Sequence, residues 1–255
     1  MVINMKFGLK LWSTNNDLLP DADQLIKSDV FQYIELTPIP HTDISSFLSY
    51  DIPYTIHITT ERHGVNIGNK NNHNSSLEAI YHCIKWADKL DAKYMVLHPG
   101  YGSIEDSIEL LDKLDDERIL IENMPKKGLN DEMMIGYMPE QIEKLMDNKF
   151  GFCFDMNHAI KAAASLDIDY RPFIESFISK LSPCYFHISD GDLKIEIDQH
   201  LSIGEGEYDF YYLFGMLNEK SETYITVETP KPDIHSLNED VKNVEKLKTV
   251  LKTTY

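Results

Sequence analysis

The sequence has no uninterrupted apolar stretch near the roughly 18 residues that a membrane-spanning helix requires. Met1 to Leu11 lack the basic flank, apolar run and small-residue cleavage site of an export signal, so a cytoplasmic location and no membrane partner are expected. Cysteine is scarce. Cys83, Cys153 and Cys184 stand far apart among apolar neighbours, which suits reduced core positions better than a disulfide framework or a thiolate metal cage. Basic residues are few: 24 Lys and Arg stand against 42 Asp and Glu, for a formal charge of −18. Such a field repels polyphosphates within the Debye length and makes nucleic acid a disfavoured partner, although a basic cleft or bound cations can reverse it locally. No linker, fixed-period repeat or low-complexity tract divides the chain.

What is present is enough apolar material for one large core, 42% of 255 residues. The length matches the roughly 250 residues at which a single (β/α)8 barrel closes, so one domain over residues 1–255 is expected. Eight short β-branched and aromatic runs recur between stretches of helical apolar spacing, the signature of repeated βα units and a parallel sheet. They are Met5 to Leu11, Tyr33 to Leu36, Tyr54 to Ile58, Tyr94 to Leu97, Ile119 to Ile121, Gly151 to Phe154, Cys184 to Ile188 and Tyr224 to Val227. Helices are predicted over Ser75 to Leu90, Ile104 to Leu114, Pro139 to Asp147, Arg171 to Leu181, Phe210 to Leu217 and Leu237 to Leu251, with Ser75 or Ser76 as a cap. The polar connection Lys126 to Gly136 is long for a βα loop and is expected to cover the mouth.

Histidines and acids fall at the ends of these runs. His57 ends the third strand, His98 closes the fourth in Val-Leu-His-Pro-Gly, and Glu122 closes the fifth in Leu-Ile-Glu-Asn. Asp155 ends the sixth with His158 three residues on, His187 lies near the end of the seventh, Asp198 and His200 follow in its loop, and Glu228 ends the eighth. Closing the barrel brings these ends to one rim, where active sites of this architecture lie. Alone, His57 reads more readily as a core or solvent-facing histidine. Glu122 and Glu228 each interrupt a buried β-branched run, which structure alone does not explain. Asp155 could simply cap the next helix. So many acids and imidazoles in one place need cations, and mixed oxygen and nitrogen donors suit zinc, manganese or iron better than calcium. His63, His73, His82 and His235 read as surface or packing residues.

Taken in order, Ile-His (56 to 57), Leu-His-Pro-Gly (97 to 100), Ile-Glu-Asn (121 to 123), Phe-Asp-Met-Asn-His-Ala (154 to 159), His-Ile-Ser-Asp (187 to 190), Asp-Gln-His-Leu-Ser-Ile-Gly-Glu-Gly-Glu (198 to 207) and Val-Glu-Thr (227 to 229) make the chain resemble the xylose-isomerase-like TIM barrels. That superfamily also contains the endonuclease IV type of abasic-site nuclease, AP endonuclease family 2. In the endonuclease branch the resemblance implies three ions: one on His57, His98 and Glu122, a second on Glu122, Asp155, His187 and Glu228, and a third on His158, Asp198 and His200. In the isomerase and epimerase branch it implies one ion on Glu122, Asp155, His187 and Glu228, with the two glutamates moving protons beside a sugar carbonyl.

Two chemistries therefore share one site. The complete donor set speaks for phosphoester hydrolysis, since an epimerase has no evident need for Asp198 and His200. The net charge, the stretch Ile-Thr-Thr-Glu-Arg after His57 and the Gly-Glu-Gly-Glu-Tyr-Asp-Phe segment speak for a small carbohydrate or sugar phosphate. On that balance the expected activity is metal-dependent isomerisation or epimerisation with Glu122 and Glu228 catalytic, and phosphodiester or phosphomonoester hydrolysis is the alternative. A barrel that binds without catalysing is disfavoured, because no ligand is missing. Asn123, Arg62 and Trp12 are candidate substrate contacts, together with Lys126 and Tyr101; Asn123 and Asn157 could also orient carboxylates. Barrels of this kind pair through mouth loops, so a homodimer is compatible, though no surface patch is assigned to it.

Overall fold

The computed structural model describes residues 5–217 and 222–254. Eight parallel strands close into a barrel in sequence order, the first hydrogen-bonded to the last. They are β1 (Met5–Trp12), β2 (Tyr33–Thr37), β3 (Tyr54–His57), β4 (Met95–Leu97), β5 (Ile119–Glu122), β6 (Gly151–Asp155), β7 (Tyr185–Ile188) and β8 (Thr223–Val227). Each lies within one residue, at either end, of a run read from the sequence. The runs are legible because parallel strands are covered on both faces, and β2, β3, β5, β7 and β8 are buried throughout.

Around them lie α1 (Leu19–Lys27), α2 (His73–Leu90), α3 (Ile104–Leu111), α4 (Pro139–Met146), α5 (Met156–Leu166), α6 (Tyr170–Leu181), α7 (Phe210–Gly215) and α8 (Asn238–Thr254). They are not distributed one per strand. Between β2 and β3 the chain makes only a 3-10 turn at Phe47–Ser49, whereas β6 and β7 are joined by both α5 and α6. No helix is expected from the sequence over the α1 and α5 ranges. Helix α5 is buried over most of its surface, from Met156 to Ala163, so it lacks the polar stripe that reveals a surface helix. The expected serine cap of α2 is also corrected: the helix starts at His73, Ser75 donates to the Gly64 and Asn72 carbonyls, and Ser76 accepts from the Asn66 N–H. Among the described residues no helix is long and apolar enough to cross a membrane.

The lumen is layered. Tyr33, Val96, Leu120, Cys153, Tyr185 and Tyr224 form a buried cluster of their own, and Tyr185 stacks on Tyr224 at 5.8 Å and 8°. Gly8 makes this layer possible, because a Cβ there would stand 2.3 Å from the Tyr33 ring. Strand side chains alternate between faces, so two residues further along each strand points into the lumen again, one layer nearer the C-terminal rim. That step leads from Tyr33 to Glu35, Val96 to His98, Leu120 to Glu122, Cys153 to Asp155 and Tyr185 to His187. At the opposite end of the barrel Lys6 and Lys93 both pair with Glu222 at 2.6 Å.

Candidate metal centre

The strand ends bring together the residues that the sequence places there. Donor atoms of His57, His98 and Glu122 all lie within 4.8 Å of one another, and so do those of His158, Asp198 and His200, two of the expected sets. The third set is arranged differently. Glu122 and Asp155 group with His158, while His187 and Glu228 group with Glu35 and His57. The cause is local: Asp155 is the N-cap of α5 and accepts the His158 N–H at 2.7 Å, which turns its carboxylate toward His158. Capping and clustering are therefore both true of Asp155.

Three imidazoles are oriented by their outer nitrogens. His57 Nδ1 lies 2.8 Å from the Ile58 carbonyl and His158 Nδ1 2.9 Å from that of Asn123; a carbonyl only accepts, so each of these nitrogens carries the hydrogen. His187 Nε2 lies 2.9 Å from Glu35. The opposite nitrogens face the donors: His57 Nε2 toward Glu122 at 3.5 Å, His158 Nε2 toward Asp198 at 3.5 Å and His187 Nδ1 toward Glu122 at 3.0 Å. This is the arrangement of imidazoles held for metal ligation.

Glu122 tests the fit. It is fully buried, with Oε1 at His187 and Oε2 at 2.9 Å from His98 Nε2, yet no properly angled hydrogen bond reaches Oε2. An orphaned buried carboxylate oxygen is costly, and a divalent ion between it and the converging imidazole nitrogens would satisfy it. The electrostatics agree. Burial works against charge on every imidazole here, but the carboxylates overcome it: His158 and His187 are held well above the usual histidine value, and Asp198 beside His200 raises it to about 9. His57 is the exception, lowered by burial and then by Lys10. Burial, reinforced by Glu122, raises Asp155 to about 6 despite His158. A cluster that draws protons onto its imidazoles favours positive charge, which divalent cations would supply. Cys153 lies within reach of Glu122 and His187, but burial holds its thiol well above the ordinary value, so it is a protonated neighbour and a poor ligand.

Lys10 on β1 and Glu35 on β2 belong to the site and were missed in the sequence. Lys10 Nζ donates to Glu35 and, at 2.6 Å, to Glu228. Glu35 Oε2 accepts from Tyr185 at 2.5 Å, Thr226 at 2.6 Å and His187 at 2.9 Å. Burial alone would raise this carboxyl, but His187 and Lys10 hold it well below the usual range. The signal was available: Glu35 interrupts Tyr-Ile-Glu-Leu-Thr just as Glu122 interrupts its own run.

The loop from β7 to α7 is held by Asp190. Its carboxylate accepts from the backbone N–H groups of Gly191, Gly204, Gly206 and Tyr208 at 2.8 to 3.2 Å. Residues Asp190 and Leu201 also exchange both backbone hydrogen bonds, so the Asp198 and His200 segment hangs from a closed ring. His200 itself adopts φ +50°, an uncommon backbone for a residue with a side chain, and sits 2.6 Å from Asp198. Asn157 donates to Asp198 and accepts from Tyr208 at 2.5 Å, which orients that carboxylate as expected.

Above the donors opens a cavity of about 480 Å³, floored by Lys10, His57, Glu228 and His200 and walled by Trp12, Thr37 and Arg62. A second cavity of about 230 Å³ adjoins it, sharing Thr60, Arg62, His98, Leu129, His158 and Asp198. The 126–136 connection forms its outer wall, folded back through paired residues Lys127 and Met133 and tied to Tyr101 by Met134. Of the candidate substrate contacts, Trp12 and Arg62 line the larger cavity and Tyr101 the smaller. Asn123 does not: its buried amide is engaged with both backbone groups of Asp155, at 2.8 Å each. Lys126 turns to the Ser165 carbonyl, and its neighbour Lys127 lines the recess. His63, read as a surface or packing residue, borders the larger cavity, whereas His73 is packed inside and His235 pairs with Asp17 at the surface.

A family model described as xylose isomerase-like TIM barrel matches residues 31–253. A protein of Methanocaldococcus jannaschii, MJ1614, is 28% identical over 228 residues, 81% of this chain and 85% of its own. A protein of Thermoplasma volcanium described as probable endonuclease 4 is 30% identical over 190 residues, 67% of this chain and 66% of its own. Among solved structures, a D-tagatose 3-epimerase-like protein superposes with a TM-score of 0.76 over 98% of both chains at 22% identity, a likeness of fold.

Proposed function

This chain belongs to the xylose isomerase-like TIM barrel family, and on that premise we propose that it is a divalent-metal-dependent hydrolase of small phosphoesters. The observation that carries the reading is Glu122, whose two oxygens face different imidazoles, Oε1 toward His187 and Oε2 toward His98 and His57. If ions were held between each oxygen and the imidazoles it faces, Glu122 would have no oxygen left to exchange a proton with carbon. His158, Asp198 and His200 add a further donor set that proton transfer at carbon does not use. Zinc, manganese or iron fit these donors, and ions held there would neutralise phosphoryl oxygens and activate water for attack.

The chain's own groups complete the task. Glu228, held down to about 2 by His187 and Lys10 against the cost of burial, stays a carboxylate at the cavity floor. Lys10 adds an ammonium to that floor, Arg62 offers a guanidinium at the wall, and Trp12 supplies an apolar face. A cavity of about 480 Å³ and a chain charge of −18 support a small substrate over duplex nucleic acid. The description of the Thermoplasma volcanium relative as probable endonuclease 4 supports phosphoester chemistry.

A second reading, metal-assisted isomerisation or epimerisation of a small carbohydrate or sugar phosphate, is favoured by Glu228 itself: a carboxylate that lines the cavity with the Lys10 ammonium 2.6 Å away could take a proton beside a carbonyl. Elemental analysis with two assays separates the two. Two or three ions per chain and turnover of bis(p-nitrophenyl) phosphate are expected. One ion per chain, no phosphoester turnover and interconversion of ketoses or their phosphates would reverse the order.

A further inference from the structure

The smaller recess carries information about the end of the substrate that does not react, given the phosphoester reading above. Arg62 stands at the boundary of both cavities and has no hydrogen-bond or ion-pair partner among the described residues. Other cations at the mouth are engaged: Lys10 with Glu228, Lys127 with Glu196. Arg62 is exposed at that boundary, and its guanidinium is free to meet an anionic group that enters either cavity. Behind it the recess is walled by Met124, Pro125, Leu129, Met134 and Tyr101. Several of its polar side chains are already engaged, as Asn130 is with Glu132 at 2.8 Å and Lys127 with Glu196. Glu61 Oε1, by contrast, is buried and without a partner. A buried oxygen that only accepts is satisfied by an N–H or O–H from whatever enters.

We propose that this recess receives the flat, amino-bearing heteroaromatic ring of a nucleotide, whose phosphoester lies at Arg62 and the donor cluster. A sugar ring would carry several hydroxyls against a wall made largely of Met124, Pro125, Leu129 and Met134. A heteroaromatic ring presents two apolar faces, which thioethers and a tyrosine cover well, and an amino edge for Glu61. The occupant is thus an intact base on a single small phosphoester, recognised through its ring.

The test is calorimetric titration of the metal-loaded protein with adenosine 5′-monophosphate, ribose 5-phosphate and inorganic phosphate, alongside NMR of methionine methyl groups. The nucleotide is expected to bind at least about tenfold more tightly than ribose 5-phosphate. It should shift the Met124 and Met134 methyl signals by ring current, which ribose 5-phosphate does not. Filling the recess with Met134→Trp should reduce the nucleotide's advantage below about twofold. Equal affinities, or unmoved Met124 and Met134 signals with the nucleotide bound, would overturn the ring subsite and leave the phosphoester reading standing. Failure of every phosphate to bind, with no phosphoester turnover, would overturn both.

Discussion

Replacing Lys10 with Met keeps the aliphatic stem and removes the one ammonium between Glu35 and Glu228. Both acids stay buried, with side-chain exposures of 0% and 10%. Breaking a buried ion pair from one side costs about 3–5 kcal/mol, because the remaining charge is uncompensated. Glu35 retains Tyr185, Thr226 and His187 as donors, so the lower end, about 3 kcal/mol, is expected. For a domain of this length each kcal/mol moves the melting temperature by about 2–4 °C, giving a fall of about 6–12 °C. Calorimetric melting of both proteins in chelator measures it. The pH dependence has a definite sign. Glu35 and Glu228 are depressed in the folded chain, Glu228 to about 2, so their stabilisation is present above the unfolded carboxyl value of about 4.5 and fades as pH falls toward 2. Lys10 is raised, so its share is present below the unfolded lysine value of 10.5 and is lost only as pH rises past the folded one. The gap between the two proteins should therefore be flat from about pH 5 to 10 and narrow in acid. A second change, Glu35→Gln, should return part of the loss. A Lys10→Met protein that melts with the parent across this range would show that the pair is not a buried, mutually dependent one.

Asp190→Ala should leave the barrel folded at a cost of roughly 2–4 kcal/mol, release one ion by elemental analysis and speed amide exchange at Gly204 and Gly206, since it frees four backbone N–H groups of that loop. Gly8→Ala should destabilise by about 1–3 kcal/mol, because the new methyl meets the Tyr33 ring at 2.3 Å, and a paired Tyr33→Leu should recover part of it in a denaturant titration. Stripping divalent ions should lower the melting temperature, and restoring zinc or manganese at about a hundredfold over its Kd should return about 2.7 kcal/mol per site. Unchanged melting on adding metal would contradict the assignment of Glu122 Oε2 as a ligand atom.

The barrel was legible because strands buried on both faces announce themselves as short apolar runs, and a histidine or acid at the end of such a run marks the rim. Helix α5 was not, since burial nearly all round erased its periodicity. The same logic that exposed Glu122 applied to Glu35, but β2 ends without a histidine and its acid lies two residues before the strand's end, where Glu122 closes its own strand. Lys10 was hidden by its charge: a lysine in a strand reads as a solvent-facing residue until its two carboxylate partners, 25 and 218 positions away, are seen. Asn123 and Lys126 were misplaced as substrate contacts because proximity in sequence to a site residue says nothing of which way a side chain turns.

The tyrosine layer beneath Glu35 and His187 makes the lumen a dead end, stoppered below by stacked rings and, past them, by the Lys6, Glu222 and Lys93 knot. Among the described residues the site opens at the rim, so an ion, water or substrate that entered there would leave by the same route. Traffic would then be ordered: a cation held near Glu122 would leave only after the space above it cleared, so occupancy by substrate should slow exchange of the innermost ion.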